Sequence, residues 1–371
     1  MEAPRFQTVT FLEATATVIS TIIGVGVLAL PRIAAEAGNS GAPLVTLLGI
    51  VLSTVGLVLV TALGMRFPRQ SPVEYSERII GRWPARGVSL LLVAFFATLT
   101  GLAAREFAEV VVTSVLPRTP VEVTAIAMLA LTAWCCRANL TTFAYAHLFY
   151  LPFVLAPGLV IVALSLKNAA LLNLLPVVGN HPDAGAIAAG ALTVSALFQG
   201  SFVVAMVIPG MRRPRRAMAA SLVGICVAGG LYLAIVIATV GVFGAAATAE
   251  FLWPTLELAK TTLLPGEVLE RLDAAFLMVW VTAVFTTLYS TYALTARALR
   301  DLFRLGDHSL WVTFLLPYVF LIALVPPDIV RLYQVIEWVG RFGLWITIGY
   351  PCLLWLVCLL GGARGDEPHA N

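Results

Sequence analysis

The sequence contains few charged residues. Only 12% of its 371 residues are Asp, Glu, Lys or Arg, whereas 60% are hydrophobic and the mean hydropathy is +0.94. Soluble domains typically contain about 25% charged residues. A water-soluble core cannot use so much apolar surface, so the composition excludes an ordinary soluble domain and predicts an all-α polytopic membrane protein.

Cysteine is also scarce, and its spacing forms no metal-binding or redox motif. The chain has five cysteines and no C-x-x-C pair. We expect them to act as small apolar side chains rather than as disulfides or metal ligands. The sequence therefore predicts no cofactor and no metal, and a protein that is not an enzyme. The cysteines are Cys135, Cys136, Cys226, Cys352 and Cys358.

Long apolar runs make up most of the sequence. A membrane-spanning helix needs about 20 apolar residues. The first run exceeds the h-region of a cleavable signal peptide, so we expect it to be retained as a span. Most arginines and lysines between the runs fall on the side that holds the N terminus, which predicts that both termini are cytoplasmic. The sequence predicts ten transmembrane helices, approximately at 11–31, 41–65, 87–115, 120–136, 142–166, 185–210, 217–244, 273–297, 309–326 and 340–361.

Two of these runs are interrupted at matching positions. Gly24-Val25-Gly26 interrupts the first and Phe198-Gln199-Gly200-Ser201 interrupts the sixth. Glycine weakens a helix by about 1 kcal/mol relative to alanine. In carriers built from inverted repeats, paired breaks of this kind lie at the binding site. We therefore expect one transmembrane domain over 1–371, with five-helix repeats at 11–166 and 185–361 and broken helices 1 and 6. The alternative is that these glycines only allow close helix packing.

The chemistry of the breaks favours a zwitterionic ligand. Unwinding at Gly24–Gly26 frees amides at the start of the outer half-helix, where the helix dipole favours a carboxylate. Gln199 and the carbonyl groups around Gly200 are predicted to receive an ammonium group. Spans one, six and eight carry no ionisable residue near their centres. An amino acid satisfies both ends without a buried charged side chain.

The predicted ligand contacts come from the two breaks and from the third and eighth spans. For the hydroxyl side chains, including Thr100, the alternative is a hydrogen bond to the backbone of their own helix. The predicted ligand-binding residues are Ile23, Gly24, Val25, Gly26, Thr98, Gly101, Phe198, Gln199, Gly200, Ser201, Thr286, Thr287 and Tyr289.

Charged residues cluster in the outer third of the third span. Arg105 and Glu109 are four residues apart and can pair along one helix face. With Glu106 they are predicted to serve gating or assembly, and the alternative is that they extend to the membrane interface. His147 is interpreted as a packing residue rather than a proton relay. The lack of a central Asp, Glu or Lys argues against a proton-driven pump.

Two segments outside the spans have helical signals. Ser71-Pro72 followed by Glu74 predicts a capped amphipathic helix, either on the anionic inner leaflet or as a docking surface. The segment 250–276, with its leucine spacing, predicts short helices that cover the ligand chamber. The arginines of 211–217 are interpreted as an inward anchor and not as a nucleic-acid site.

Several stretches resemble a known family. They are IIGVGVLALP (22–31), SPVEYSERIIGRW (71–83), REFAEVVVTSVLPRTPVEV (105–123), NLLPV (173–177) and WPTLELAKTTLLPGEVLERLDAAFLMVW (253–280). Together they resemble the B subunits of bacterial spore germinant receptors, within the amino acid–polyamine–organocation superfamily. The resemblance implies a LeuT-like core and an amino-acid-type germinant in the midplane pocket. It also implies assembly with an A subunit and a lipoprotein C subunit in the inner spore membrane.

The chain departs from the superfamily pattern at the sixth-span break. Many members carry Gly-Phe-Glu there, whereas this chain has Gly200-Ser201-Phe202. The missing glutamate favours sensing over pumping. The sequence therefore predicts a germinant-sensing receptor subunit, with a secondary amino acid transporter as the alternative and a scaffold with a vestigial pocket as a third possibility.

Overall fold

The computed structural model describes residues 8–179, 183–261 and 272–360, with the side chains of 272–275 left out. Within these ranges the chain is helical apart from turns and an isolated parallel bridge between Val9 and Met211. The α-helices are α1 Phe11–Ile22, α2 Gly26–Gly38, α3 Ala42–Arg66, α4 Pro72–Ile80, α5 Arg82–Ser114, α6 Val121–Cys136, α7 Leu140–Ser165, α8 Ala184–Ala196, α9 Val204–Val207, α10 Ala217–Phe243, α11 Ala245–Glu250, α12 Pro254–Thr261, α13 Leu272–Phe303, α14 Ser309–Leu324, α15 Ile329–Leu344 and α16 Tyr350–Leu360.

The described helices identify an integral membrane protein. Six stretches are long and apolar enough to cross a membrane, and the bent pair Ala184–Ala196 and Gln199–Gly210 is a seventh. Shorter apolar helices are Phe11–Ile22, Val121–Cys136 and Ser309–Leu324. The count of ten spans stays a prediction. The six long stretches are Gly26–Arg66, Arg82–Ser114, Leu140–Asn168, Pro214–Phe243, Phe276–Phe303 and Ile329–Leu360.

The first of these stretches contains a reversal of the chain. As a straight helix, its 41 residues would be about 60 Å long, twice the hydrocarbon thickness of a bilayer. Asn39 has a φ of +52°, and α2 and α3 pack against each other on either side of it. A Cβ on Gly38 would lie 2.6 Å from the Val45 side chain. Glycine at 38 therefore allows the close approach of the two helices.

Both predicted helix interruptions are present. α1 ends at Ile22, Ile23 is extended (φ −79°, ψ 101°), and α2 starts at Gly26. In the sixth segment α8 ends at Ala196, and the 3-10 helix Gln199–Val203 follows with a bend of 41° between the two halves.

The two interruptions lie against each other in the core. A Cβ on Gly200 would lie 2.9 Å from Thr21 Cγ2 and 3.0 Å from the Thr21 carbonyl oxygen. Around them α1 packs against α7, α10 and α13, and α5 packs against α13. Gly200 therefore allows close helix packing and also lies at a helix break. At this glycine the packing alternative and the predicted break are both present.

The capping box predicted at the start of α4 is confirmed. Ser71 Oγ accepts a hydrogen bond from the Glu74 N–H (3.3 Å), and Glu74 Oε2 accepts one from the Ser71 N–H (2.7 Å). Pro72 occupies the first turn, where its missing N–H needs no partner. Val73 and Tyr75 are buried, and α4 packs against α5, α13 and α16.

Glu77 connects α4 to two neighbouring helices. Its carboxylate lies 3.4 Å from Nε of Arg86 on α5 and 2.7 Å from Nη2 of Arg304, just beyond α13. Partial desolvation raises the pKa of Glu77, but the hydrogen bonds and charges of Arg304 and Arg86 outweigh it and leave the pKa below its ordinary value. Such a carboxylate stabilises the fold above its unfolded-state pKa and loses that contribution as the pH falls.

We expect the stability of the protein to fall slightly as the pH drops from about 5 to about 3 through this group. The contribution is below about 1 kcal/mol because the pair is partly exposed. Glu77→Gln should reduce the drop in the thermal unfolding midpoint over this pH range, whereas the exposed Glu122→Gln should leave it unchanged. An identical pH dependence in wild type and Glu77→Gln would contradict this expectation.

The segment predicted to cover the chamber is described in part. α11 and α12 are short helices, with Leu256, Leu258 and Ala259 buried. Thr255 Oγ1 donates a hydrogen bond to the Val27 carbonyl (2.7 Å), which connects α12 to α2. The rest of the predicted segment, 262–271 and the side chains of 272–275, lies outside the described residues.

Candidate functional site

A cavity of about 540 Å³ lies next to the two interruptions. Its walls come from both breaks and from α2, α5, α8, α13 and α15. We call this the first cavity. Near the breaks it is lined by Thr21, Gly24, Val25, Gly26 and Gly200, and by Thr287 and Thr291 of α13. Within the described residues, no three His, Cys, Asp or Glu side chains are grouped so that they could hold a metal ion.

Most carbonyl groups around the first break already have protein partners. Tyr232 Oη donates to the Ile22 carbonyl (2.6 Å), and Trp280 Nε1 donates to the Gly24 carbonyl (3.2 Å). Thr286 and Thr287 donate to the carbonyls of Ser20 (2.9 Å) and Thr21 (3.0 Å). These bonds fix the shape of the break, because each donor comes from a helix distant in sequence.

The N–H groups on the other side of the break, at the start of α2, differ from these bonded carbonyl groups. α2 starts at Gly26, and its N-cap residue Val25 makes no side-chain capping hydrogen bond. The first N–H groups of a helix have no partner within the helix, and the dipole makes this end electropositive. Because Gly24, Val25 and Gly26 line the first cavity, this end borders the space available to a ligand. The break can therefore interact favourably with a carboxylate.

Gln199 does not line the first cavity, although it was predicted to receive the ammonium group. Its Nε2 donates to the Gly340 carbonyl on α15 (2.7 Å), and its buried Oε1 has no hydrogen-bond partner among the described residues. The side chain thus connects the sixth-segment break to α15. Gly200, the next residue, does line the cavity.

Other predicted contacts also lie outside the cavity lining. Thr98 donates to the Ala94 carbonyl of its own helix (2.8 Å), and Thr286 makes the bond to Ser20 described above. A Cβ on Gly101 would lie 2.8 Å from the Val319 carbonyl, so this glycine allows α5 to pack on α14. Phe198 contacts the Tyr232 ring at 5.3 Å between centroids. The predicted contacts outside the lining are Ile23, Thr98, Gly101, Phe198, Gln199, Ser201, Thr286 and Tyr289.

Tyr289 and His147 form a buried cluster behind the first break. Their rings stack with centroids 5.5 Å apart. His147 Nδ1 lies 2.9 Å from the Phe143 carbonyl oxygen, and Nε2 lies 2.8 Å from Ser290 Oγ. Ser290 Oγ lies 2.5 Å from Thr21 Oγ1. The cluster joins α7, α13 and α1, in agreement with the packing interpretation of His147.

The end of the first cavity away from the break is polar, which the sequence interpretation missed. Arg32, Glu36, Tyr333, Glu337 and Arg341 line it. On α15 the lining residues 330, 333, 334, 336, 337, 340 and 341 recur with largely helical spacing. That spacing was the available signal, but the predicted tenth span began at 340, whereas α15 begins at Ile329.

Glu106 joins α5 to this polar end. Its Oε1 accepts a hydrogen bond from Tyr333 Oη (3.0 Å), and Tyr333 Oη accepts one from Trp253 Nε1 (2.8 Å). The Arg32 guanidinium lies 4.6 Å from the centre of the Tyr333 ring. The resulting chain of contacts connects α2, α5, α15 and the segment before α12 across the cavity.

The predicted pair on α5 is present. Arg105 Nε and Nη2 both lie 2.8 Å from Glu109 Oε1. Arg105 is buried, and neither residue lines the first cavity, whereas Glu106 between them does. The three charged residues therefore divide into a structural pair and a residue that faces the cavity.

Removal of the Tyr333 hydroxyl should break the hydrogen bonds at the polar end of the first cavity and destabilise the protein. In Tyr333→Phe the buried Glu106 carboxylate and the Trp253 N–H both lose a hydrogen-bond partner, and we expect a loss of stability of about 1–3 kcal/mol. The thermal unfolding midpoint of the variant, compared with that of the wild type, measures this loss of stability. Tyr318→Phe is the control, since Tyr318 is an exposed tyrosine. Equal midpoints in the two variants would contradict the role of this contact.

The fold and the site together define the class: a helical membrane protein with the LeuT fold and a central cavity. One similar structure is the crystal structure of MhsT in complex with L-phenylalanine, with a TM-score of 0.68 and 13% identity, covering 96% of this chain and 92% of that one. Another is a closed conformation of Mhp1, a nucleobase-cation-symport-1 family transporter with bromovinylhydantoin bound, with a TM-score of 0.70 and 13% identity, covering 92% and 77%. At this identity the likeness shows the fold alone.

The chain belongs to the spore germination protein family. The family profile described as "Spore germination protein" matches residues 8–330. Among curated relatives, spore germination protein YndE of Bacillus subtilis (strain 168) is 25% identical over 97% of this chain and 98% of its own length. Spore germination protein B2 of the same organism is 24% identical over 94% of each chain. Spore germination protein GerLB of Bacillus cereus is 27% identical over 92% of this chain and 91% of its own length.

Proposed function

We propose that this chain is the solute-sensing membrane subunit of a spore germinant receptor and that it binds an amino acid in the first cavity. The observation that carries this proposal is the open amide end of α2, which borders a cavity of about 540 Å³. The family membership supports the role in germination, and the LeuT fold supports a solute site between the two breaks.

The groups around the cavity suit a zwitterion. The ligand carboxylate faces Gly24–Gly26, where the helix dipole favours negative charge. Glu106, which lines the same cavity, offers a carboxylate to the ligand ammonium group and takes the part first assigned to Gln199. Leucine, isoleucine and alanine side chains make up much of the remaining wall, which favours an uncharged ligand side chain. They include Ile33, Leu99, Leu102, Ala103, Ala196 and Leu197.

We also propose the ten-span arrangement. α1 and α2 form a broken first span, and α8 with the segment Gln199–Gly210 forms a broken sixth span. Between and after them the remaining long helices provide eight further spans in two inverted repeats. Both termini are then cytoplasmic, in the inner spore membrane, and the A subunit and the lipoprotein C subunit of the receptor are the partners.

Ligand binding to the purified chain and the germination response of spores together test the proposal. The purified chain in lipid nanodiscs is titrated with uncharged amino acids, and the thermal unfolding midpoint is followed. Spores that carry the chain in their receptor are exposed to the same compounds. We expect the amino acids that stabilise the protein to be those that trigger germination. Amino acids that trigger germination without any effect on the purified subunit would contradict sensing in this cavity.

The alternative function is secondary transport of an amino acid, which the same fold and cavity permit. Proteoliposomes that contain only this chain distinguish the two. Saturable uptake driven by an ion gradient would establish the transporter. Binding without uptake, together with a germination response, supports the receptor.

A further inference from the structure

A second cavity lies at the opposite end of α13 from α12 and has no assigned role. Its volume is about 360 Å³, and it shares no lining residue with the first cavity among the residues described. Its walls come from the start of α4, the start of α7, the end of the sixth segment and the last turns of α13. The polar lining residues are Ser71, Asn139, Thr141, Arg297, Arg300 and Asp301.

Arg297 is a buried cation that forms no ion pair with an acid among the described residues. Its residue is 9% exposed. Its Nη2 donates to the Ala138 carbonyl (3.1 Å), and its Nε has no hydrogen-bond partner in the described part of the chain. The acid one helical turn away, Asp301, is already bound by Arg300, whose Nε lies 2.8 Å from Asp301 Oδ1. A buried guanidinium without a carboxylate partner is unfavourable unless another anion neutralises it.

The helix N-termini beside Arg297 are already capped. α4 and α7 both begin at the second cavity, at Pro72 and Leu140, where the side chains of Ser71, Glu74 and Asn139 cap them, so the charge of Arg297 must be met by another group. Because Arg300 and Asp301 neutralise each other, the charge of Arg297 is left over. The remaining wall is largely apolar, including Leu92, Met206 and Leu294. The cavity is therefore suited to a small anion and not to a cation.

We propose that the second cavity binds a small oxyanion, with a carboxylate or phosphate group neutralising Arg297. This site is separate from the proposed amino acid site, since the two cavities have different walls. The oxyanion is either a free solute or the headgroup of an anionic lipid, and both present the same chemistry to the guanidinium.

The test uses the full-length protein in a maltoside detergent without phosphate. Inorganic phosphate is added at constant ionic strength, with chloride as the balancing anion. A ligand that binds only the folded state raises the thermal unfolding midpoint, here by about 2 °C for each tenfold increase above its dissociation constant. We expect this rise in wild type and in Arg215→Gln, an exposed arginine that serves as the control, and not in Arg297→Gln. An equal rise in all three proteins, or no rise in wild type, would overturn the proposal.

A second measurement does not depend on the folding of the variant. The ³¹P line of inorganic phosphate should broaden in the presence of wild-type protein and sharpen again when acetate is added in excess. A line that stays sharp with wild-type protein would overturn the proposal even if Arg297→Gln cannot be purified.

Added phosphatidylglycerol distinguishes the two sources. If the lipid raises the wild-type midpoint and abolishes the response to phosphate, the headgroup is the occupant. If the response to phosphate persists, a free anion is the occupant. Either result supports an oxyanion on Arg297 only if Arg297→Gln lacks the effect. Amino acid binding in the first cavity should be unchanged in this variant, so failure of this proposal leaves the proposed function untouched.

Discussion

Gly24→Leu should weaken amino acid binding by more than about tenfold, or about 1.4 kcal/mol. A Cβ on Gly24 would lie 2.2 Å from Thr287 Oγ1 and 2.9 Å from Thr287 Cβ. Threonine is rigid at χ1, and Thr287 Oγ1 is held by its hydrogen bond to the Thr21 carbonyl, so it cannot yield without disturbing the break. The larger side chain must then enter the first cavity or separate α1 from α13.

The matched control for this substitution is Gly230→Leu. Gly230 lies within α10, is exposed, and has no atom within 4 Å of the position a Cβ would take. Binding is measured from the unfolding midpoint of the purified protein as amino acid is added, and the germination response of spores is measured in parallel. If Gly24→Leu assembles and responds like Gly230→Leu, the first cavity is not the sensor.

Glu109→Gln should lower the free energy of unfolding by about 3 kcal/mol. Arg105 is buried and both of its bonds to a carboxylate go to Glu109, so the substitution leaves a buried guanidinium with only a neutral amide beside it. The unfolding midpoint in nanodiscs measures the loss of stability. We also expect a weaker germination response, because α5 carries Glu106 into the first cavity one residue after Arg105.

Glu122→Gln is the control for this experiment, since Glu122 is an exposed acid in the first turn of α6. Removing an exposed charge should change stability by less than about 0.5 kcal/mol. Similar effects of Glu109→Gln and Glu122→Gln would remove the case for a special role of the α5 pair.

Local patterns in the sequence predicted local structure well. The capping box of Ser71 and Glu74 and the pair of Arg105 and Glu109 each join residues three or four apart on one helix. Their contacts follow from helix geometry alone. The breaks at Gly24–Gly26 and after Ala196 were also predicted, from two closely spaced glycines in the first apolar run and from the polar stretch Gln199-Gly200-Ser201 in the sixth.

The same reasoning predicted ligand contacts at several residues that do not line the first cavity. Gln199 was placed at the ligand because its amide is polar and lies at a break. Its Nε2 instead donates a hydrogen bond to the carbonyl of Gly340, which is 141 residues away. Thr286 was predicted as a ligand contact for similar reasons and instead bonds Ser20 on α1. The face of α15 that contributes Tyr333 was missed, because the predicted span began too late.

The sequence by itself determined that this chain is a helical membrane protein, where its first and sixth apolar runs break, and which family it resembles. Only the tertiary structure decided which polar groups border the first cavity, and that Tyr232, Trp280 and Thr255 satisfy carbonyls around the first break. It also decided that Arg297 has no carboxylate partner in the part of the chain that the structure describes. The physical reason is that apolar composition and helix spacing act between near neighbours in the chain. Hydrogen bonds and charge compensation in the core instead join residues far apart in sequence, and these pairs exist only once the helices have packed.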